Sequence, residues 1–337
     1  MRVAVLNGPG DLEVVDRPAP TPGPNEVLVE VAAVGVCGSD THYYEHGRIS
    51  RFVVESPLVL GHEASGRIVE VGAGVDPARV GRRVSIEPGV PCFTCEQCLA
   101  GRYNLCYDMR FYATPPIDGA FAQLVTVHSA FAHDIPDSVS DDAAALLEPL
   151  SVGVWAARKA RVGAGTRVLV TGAGPIGMVA VQVAKACGAT SIAVADINEH
   201  RLEVARELGA TQTIDSRTQS LDELTERPEV LLECSGNGPA TIAAIKALAP
   251  AGRVVLVGMG GDELALPLSV VQERELEVTG TFRYANTWPT AIRLAASGVV
   301  DLDRLVTGHV GLAEAADALL AGRTDPAAIK TIVCPQR

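Results

Sequence analysis

Cys37, in the run Cys37-Gly38-Ser39-Asp40, and His62-Glu63, after Gly61, bring a thiolate donor, an imidazole and a carboxylate into one stretch of chain. Borderline-soft zinc favours such a mixed set. Glu148 adds a second carboxylate. Three protein groups can then hold the ion while a fourth position stays open to water or an alcohol, which is what separates a catalytic zinc from a structural one. Taken singly, each residue has an ordinary explanation: Cys37 as a small core residue, His62 as a turn histidine, the two glutamates as surface or capping groups. Taken together, upstream of a dinucleotide motif, they supply a Lewis acid that stabilises an alkoxide. Ser39 and His42 are candidates to relay the alcohol proton to solvent, and a water held by Glu148 offers another route.

A second cluster has different chemistry. Cys92, Cys95, Cys98 and Cys106 follow at spacings of two, two and seven residues inside a Gly- and Pro-bounded loop. Four thiolates without another ligand type predict a closed, tetrahedral structural zinc. An iron-sulfur cluster is the rival, but the last spacing is too long for the bacterial ferredoxin run and no proline follows Cys106. Cys187, Cys234 and Cys334 read as small buried residues.

The third constellation is Gly172-Ala173-Gly174-Pro175-Ile176-Gly177, directly after the apolar run Val168–Thr171 and before an apolar helical stretch. This is the setting in which a G-x-G-x-x-G motif binds a dinucleotide. Gly172 permits the tight turn, Gly174 lets backbone amides approach a pyrophosphate, and Gly177 allows close packing of helix on strand. Asp196 ends the next apolar run, where a carboxylate can accept bonds from both adenosine ribose hydroxyls and repel a 2'-phosphate. The motif therefore predicts NAD rather than NADP. Arg201 is the residue that argues the other way, although it can equally lie along the adenine. A helix cap is the structural alternative for Asp196. Val257, Met259, Phe282 and Arg283 complete the candidate cofactor contacts.

The elements around these residues fall into two patterns. Up to about residue 135 short alternating runs, such as 26–34 and 66–71, are separated by Gly and Pro, which predicts an irregular all-β region with the metal candidates in loops flanking short strands. Asp141 and Asp142 suit the first turn of a helix, and Pro149 places Glu148 at a kink or helix boundary. From Arg167 strands at 168–171, 191–195, 230–233 and 254–257 alternate with helices, one of them at 199–208. That alternation predicts a doubly wound parallel sheet. The pattern ends near Phe282, and two further helices are expected to stop at Gly298 and Gly322.

Composition bounds the rest. A chain of 337 residues accommodates two domains. A formal charge of -12 without a dense basic stretch argues against nucleic acid and against anionic membranes as partners. No apolar run approaches a bilayer-spanning length. Residues 1–7 read as a strand, not a signal peptide, and clustered rather than paired cysteines fit a reducing compartment, so a cytoplasmic location is expected.

Over essentially its full length the chain resembles the zinc-dependent sorbitol (L-iditol) dehydrogenase group of the medium-chain dehydrogenase/reductase superfamily. The resemblance is carried by Cys37 to Asp40 with His42-Tyr43 and Glu45-His46-Gly47, by Gly61 to Gly66, by Ile86-Glu87-Pro88-Gly89 and by Gly101 to Leu105. It continues through Ala113-Thr114-Pro115-Pro116, Glu148 to Gly153, Gly172 to Met178 and Phe282 to Pro289. It implies an α/β protein in which a GroES-like β-barrel catalytic domain (1–147, with a structural zinc lobe at 90–107) precedes a Rossmann NAD-binding domain (148–283). A C-terminal segment (284–337) then returns to the catalytic domain, with catalysis between the domains. It also implies two zinc ions per subunit, one catalytic and one structural, and a homotetramer. In this group the catalytic zinc is held by the positions of Cys37, His62 and Glu63 with a water contacted from the Glu148 position; in related alcohol dehydrogenases the third ligand comes from the Glu148 position. Tyr43, Glu148, Arg283 and Tyr284 match positions that resemble polyol or cofactor contacts. Animal members often lack the complete cysteine quartet, so its presence here departs from part of the group.

The resulting expectation is an NAD-dependent zinc enzyme that oxidises a secondary hydroxyl of a small-molecule polyol. The same chemistry on 2,3-butanediol or L-threonine is the runner-up. A nucleotide-binding structural or regulatory protein that has lost catalysis is the alternative of another class, and it need not preserve the open metal site.

Overall fold

The computed structural model describes residues 1–337. The chain divides into two compact units, Met1–Glu148 with Leu302–Arg337, and Pro149–Asp301. Residues 284–301 thus lie in the second unit, and the return to the first begins at Leu302. Helix Trp288–Ala296 buries Trp288 and Ala291. The segment after it is tied down by Gln182, whose side chain donates to the Asp301 carbonyl at 3.1 Å and accepts from the Asp301 amide at 2.7 Å.

The first unit is built on a seven-stranded sheet that runs Ala132–Asp134, Arg83–Ile86, Glu63–Val71, Glu26–Gly35, Lys330–Val333, Val306–Val310, with Leu124–His128 also paired to Glu26–Gly35. Valines of Glu26–Gly35 and Ile68, Val84, Ile86 and Phe121 meet in one buried cluster, which fixes register because a one-residue slip would turn them to solvent. The C-terminal strand Lys330–Val333 pairs with Gly35 and Val34, so a segment distant in sequence enters the heart of this sheet.

Residues 38–40, expected in a loop, open an α-helix that runs Gly38–His46. Its sequence has no apolar period, which is why no helical pattern was visible. The helix is instead nucleated at its ends: the Asp40 carboxylate accepts from the Cys37 amide at 3.1 Å, and Gly47, at φ 68°, closes the last turn with its amide on the Tyr43 carbonyl.

The second unit is a six-stranded parallel sheet in the order Gln212–Asp215, Ser191–Asp196, Arg167–Thr171, Val230–Glu233, Arg253–Leu256, Glu277–Gly280. Between their ends the central strands are apolar because helices cover both faces. The two strands that alternation alone does not reveal, Gln212–Asp215 and Glu277–Gly280, are the sheet's edges and are only half buried. Order reverses between Arg167–Thr171 and Val230–Glu233, and in open α/β sheets ligands bind beyond the strand ends at such a point. Gly322 lies inside helix Ala315–Thr324 instead of ending it, whereas Gly298, at φ 72°, does follow the end of helix Trp288–Ala296. No helix is long and apolar enough to cross a membrane.

Candidate active site

The ligand atoms of Cys37, His62 and Glu63 lie within 4.8 Å of one another. Cys37 lies, as expected, in the short connection after strand Glu26–Gly35 and caps the helix Gly38–His46, and Glu63 is the first residue of the strand Glu63–Val71. Asp40 joins the two elements. Completely buried, it accepts from the Gly61 amide at 3.0 Å as well as from Cys37. Its Oδ1 also lies 3.5 Å from His62 Nδ1, which leaves Nε2 as the ring nitrogen for a metal. A carboxylate behind a metal-ligating histidine fixes the tautomer and the ring orientation. Burial works against the Asp40 charge, but His62 and the two amides outweigh it and hold its carboxyl below the usual range. Burial likewise disfavours a charged His62, yet the carboxylate of Asp40 and the thiol of Cys37 raise the imidazole well above its ordinary value. A divalent cation would take the place of that proton.

Glu63 has a partner that no local pattern announces. Lys330, itself buried, places its ammonium 2.8 and 2.7 Å from the two Glu63 carboxylate oxygens and 2.8 Å from the Val36 carbonyl. Burial would depress the Lys330 ammonium, but Glu63 foremost among its neighbours keeps it raised. Removing one member of such a buried pair typically costs about 3–5 kcal/mol. Space for the carboxylate comes from Gly35, opposite Glu63 in the ladder: a Cβ there would sit 2.1 Å from Glu63 Oε2. Glu148 is buried in the first turn of helix Leu147–Ala160 and lies outside the close group of three. The preceding helix ends at Ala145, so Glu148 does sit at a helix boundary. Pro149 falls in the new helix's first turn, where its missing amide hydrogen is not needed. One thiolate, one imidazole and one carboxylate, with Glu148 distant in sequence but likewise buried, form a donor set suited to zinc.

Ser39 and His42 lie three residues apart on the helix Gly38–His46, hence on one side of it. The His42 ring is exposed, its Nδ1 lies 3.1 Å from the Arg48 carbonyl, and its centroid is 4.7 Å from that of His46. Nδ1 therefore carries the hydrogen and Nε2 is the basic nitrogen. Tyr43, on the same helix, is packed into the core of the first unit.

The thiols of Cys92, Cys95, Cys98 and Cys106 form the second close group. Sulfur separations of 3.4 Å for Cys95 to Cys98 and 3.9 Å for Cys92 to Cys98 suit the edges of a tetrahedron around zinc. Backbone amides point inward as well, from Cys92 to Cys106 Sγ at 3.2 Å and from Cys95 to Cys92 Sγ at 3.3 Å. The amide and hydroxyl of Thr94 and the Cys95 amide lower the Cys92 thiol to about 6, while burial foremost pushes Cys98 up to about 12. The set has no open member for a substrate.

In the second unit a cavity of about 690 Å³ opens at the strand ends, lined among others by Gly172, Gly174, Asp196, Arg201, Ser235 and Asn237. Gly177 carries no side chain because a Cβ would lie 1.8 Å from the Gly172 carbonyl oxygen, whereas at Gly174 a Cβ would meet nothing within 4 Å. The first closes helix on strand, and the second leaves the room a pyrophosphate needs. Pro175 and Ile176 open the helix Pro175–Ala186. Asp196 accepts from the amides of Ala173 and Asn198, while the helix after it is capped by Asn198. The capping alternative for Asp196 thus falls to its neighbour. Sequence reading did not single out Glu233, a buried carboxylate that accepts from the Ser235 hydroxyl and from the amides of Ser235 at 2.9 Å and Gly236 at 3.0 Å. It sets the loop that forms one wall of the cavity. Its only signal was its place at a strand end.

Val257 is half buried and Met259 and Phe282 are exposed, and none of them lines this cavity. Arg283, at φ 54°, lays its guanidinium 4.8 Å from the Phe282 ring centroid. Tyr284 is buried 5.3 Å from Trp288 within the second unit.

Comparison with known proteins covers both units. Residues 23–137 match the family described as alcohol dehydrogenase GroES-like domain, and residues 175–297 match zinc-binding dehydrogenase. A sorbitol dehydrogenase of Gallus gallus is 45% identical, the match covering 93% of this chain and 91% of the relative. One of Bacillus subtilis is 42% identical, with 100% and 98% covered. Among solved structures, an alcohol dehydrogenase of Escherichia coli CFT073 complexed with NADH superposes with a TM-score of 0.92 at 31% identity, covering 99% of both chains.

Proposed function

This chain belongs to the zinc-binding, sorbitol dehydrogenase-like alcohol/polyol dehydrogenases, and on that premise we propose that it oxidises a secondary hydroxyl of a sorbitol- or xylitol-type polyol to a ketose, with NAD as acceptor. The observation that carries this reading is the close group of half-buried Cys37 with buried His62 and Glu63, a mixed set that a non-catalytic nucleotide-binding protein has no reason to keep.

Zinc, when bound, supplies the Lewis acidity that favours loss of the hydroxyl proton, and the nicotinamide, when bound, takes the hydride from the same carbon. The chain's residues do the rest. Cys37, His62 and Glu63 would hold the ion, with Asp40 orienting His62. In the relay Ser39 would take the hydroxyl proton while giving its own to His42 Nε2, from which a proton leaves to solvent. Glu148 would orient the substrate hydroxyl by hydrogen bonding. Loss of one proton and one hydride converts the alcohol carbon to a carbonyl, a two-electron oxidation. A polyol offers many hydroxyls and no charge, so hydrogen-bonding side chains must set which carbon reacts. We assign that task to Tyr43, Arg283 and Tyr284.

Gly172, Gly174 and Gly177 with Pro175 and Ile176 are the proposed pyrophosphate site, and Asp196 with Arg201 the adenosine site. The choice of NAD rests on the Asp196 carboxylate in the cavity wall, where a 2'-phosphate would meet like charge. Val257, Met259 and Phe282 are assigned to the remainder of the cofactor. We take Cys92, Cys95, Cys98 and Cys106 as a second, structural zinc site and the protein as a cytoplasmic homotetramer.

The test is NADH formation by metal-analysed protein against sorbitol, xylitol, ribitol, 2,3-butanediol and L-threonine, repeated with NADP and after chelation of the labile zinc. Highest kcat/KM on a polyol with NAD, abolished by chelation, is the expected result. A preference for butanediol or threonine would remove the polyol assignment and leave the metal chemistry in place.

A further inference from the structure

The mechanism above leaves the buried ammonium of Lys330 without a task. Lys330 contacts no solvent to speak of at 3% exposure, lies 267 positions from Glu63 in sequence, and spends its ammonium on both Glu63 oxygens and the Val36 carbonyl. Burying an ammonium is costly unless its surroundings repay it. A second carboxylate-binding group is superfluous if Glu63 is simply a metal donor, because a divalent ion would neutralise Glu63 by itself.

The negative groups here outnumber what a divalent ion offsets. Half-buried Cys37, a thiolate when it holds the ion, and buried Glu63, Glu148 and Asp40 all belong to the first unit, and Glu63, Cys37 and Glu148 bear electrostatically on Lys330. A fixed cation that shares Glu63 with the metal does two things. It neutralises the carboxylate when the metal is away, and it draws electron density from the carboxylate when the metal is present. Both effects weaken Glu63 as a donor without moving it, since the contacts to both oxygens and the tight fit over Gly35 hold its position.

We propose that Lys330 is a positioning residue of the metal centre, clamping Glu63 as a weak donor that it shares with the ion. The proposal rests on the reading of Cys37, His62 and Glu63 as the metal ligands. It assigns to the C-terminal strand, far from every motif, control over how firmly the metal is held.

The experiment follows zinc release from the purified holoenzyme into excess chromogenic chelator, with Cys98→Ser protein identifying the slower phase from the cysteine quartet. In Lys330→Met the labile zinc leaves more slowly, by about tenfold, because a cation has been removed from beside a cation. Lys330→Arg returns the rate towards wild type. Zinc also raises the melting temperature of Lys330→Met more than that of wild type, since only the zinc-free variant carries an unpaired Glu63. With sorbitol, kcat falls while KM changes little. Unchanged or faster release overturns the proposal, because a partner that merely orients a ligand weakens metal binding when lost.

If Lys330→Met does not fold, the comparison is made from the other side. Glu63→Gln strands the ammonium beside the metal and accelerates release, and adding Lys330→Gln slows it again; a double variant no slower than Glu63→Gln overturns the clamp. Wild-type protein without any labile zinc would instead overturn the metal-site reading itself.

Discussion

The two cysteine-bearing metal sites differ in how their ligands are assembled. The quartet comes from fifteen consecutive residues, 92–106. Its thiols are tuned by amides of the same loop, and its surroundings are open: Phe93, Leu99 and Tyr107 are exposed. The mixed site draws half-buried Cys37 from a helix cap, and Glu63 from a strand start and Lys330 from the last strand of the sheet, both in a packed interior. A local site can be closed by backbone turns alone. A dispersed one needs the whole first unit to be folded before its ligands meet, and it spends that cost on excluding water and leaving one position open.

The largest expected effect separates the sites by what fails. Cys37→Ser should lower kcat/KM on the best alcohol at least about a thousandfold, the several kcal/mol a Lewis acid contributes, with little change in melting temperature. Cys98→Ser should do the reverse. One zinc per chain is lost by metal analysis and the melting temperature drops by roughly 5 °C or more, while turnover at low temperature persists. A Cys98→Ser protein with normal zinc content and unchanged melting would dissolve the distinction.

Asp196→Ala sharpens the contrast in the second unit. It should reduce kcat/KM for NAD by about 10–100-fold and narrow the preference over NADP, read as the ratio of the two cofactors' kcat/KM. A ratio that does not move would mean that the carboxylate only braces Ala173 and Asn198. Smallest are the glycine replacements. Gly35→Ala drives a methyl group into Glu63 and should cost about 1–3 kcal/mol in denaturant unfolding together with weaker retention of the labile zinc. In the lobe, Gly101→Ala meets nothing within 4 Å and should cost only about 1–2 kcal/mol from its φ of 74°, with zinc retention intact.

Much of the molecule was legible because its physics is local. The Gly172 to Gly177 turn, the Cys92 to Cys106 spacing and the apolar central strands each state their role within a few residues. The helix 38–46 was not legible, since its stability comes from Asp40 and Gly47 at its ends and not from an apolar stripe. The edge strands at 212–215 and 277–280 lack the apolar run of strands buried on both faces. Asp40 stood in view within a quoted motif but without a role, because its partners at Gly61 and His62 become neighbours only when the helix meets the strand.

By itself the sequence determined the two unit types, the donor types available for metal and the turn that receives a dinucleotide, since these depend on residue identity and short spacing. Only tertiary structure decided that Glu63 and not Glu148 joins Cys37 and His62 in the close group, that Asp40 stands behind His62, and that Lys330 faces Glu63. Those choices depend on which side chains are buried together, and burial belongs to the packed sheet and not to any segment of it.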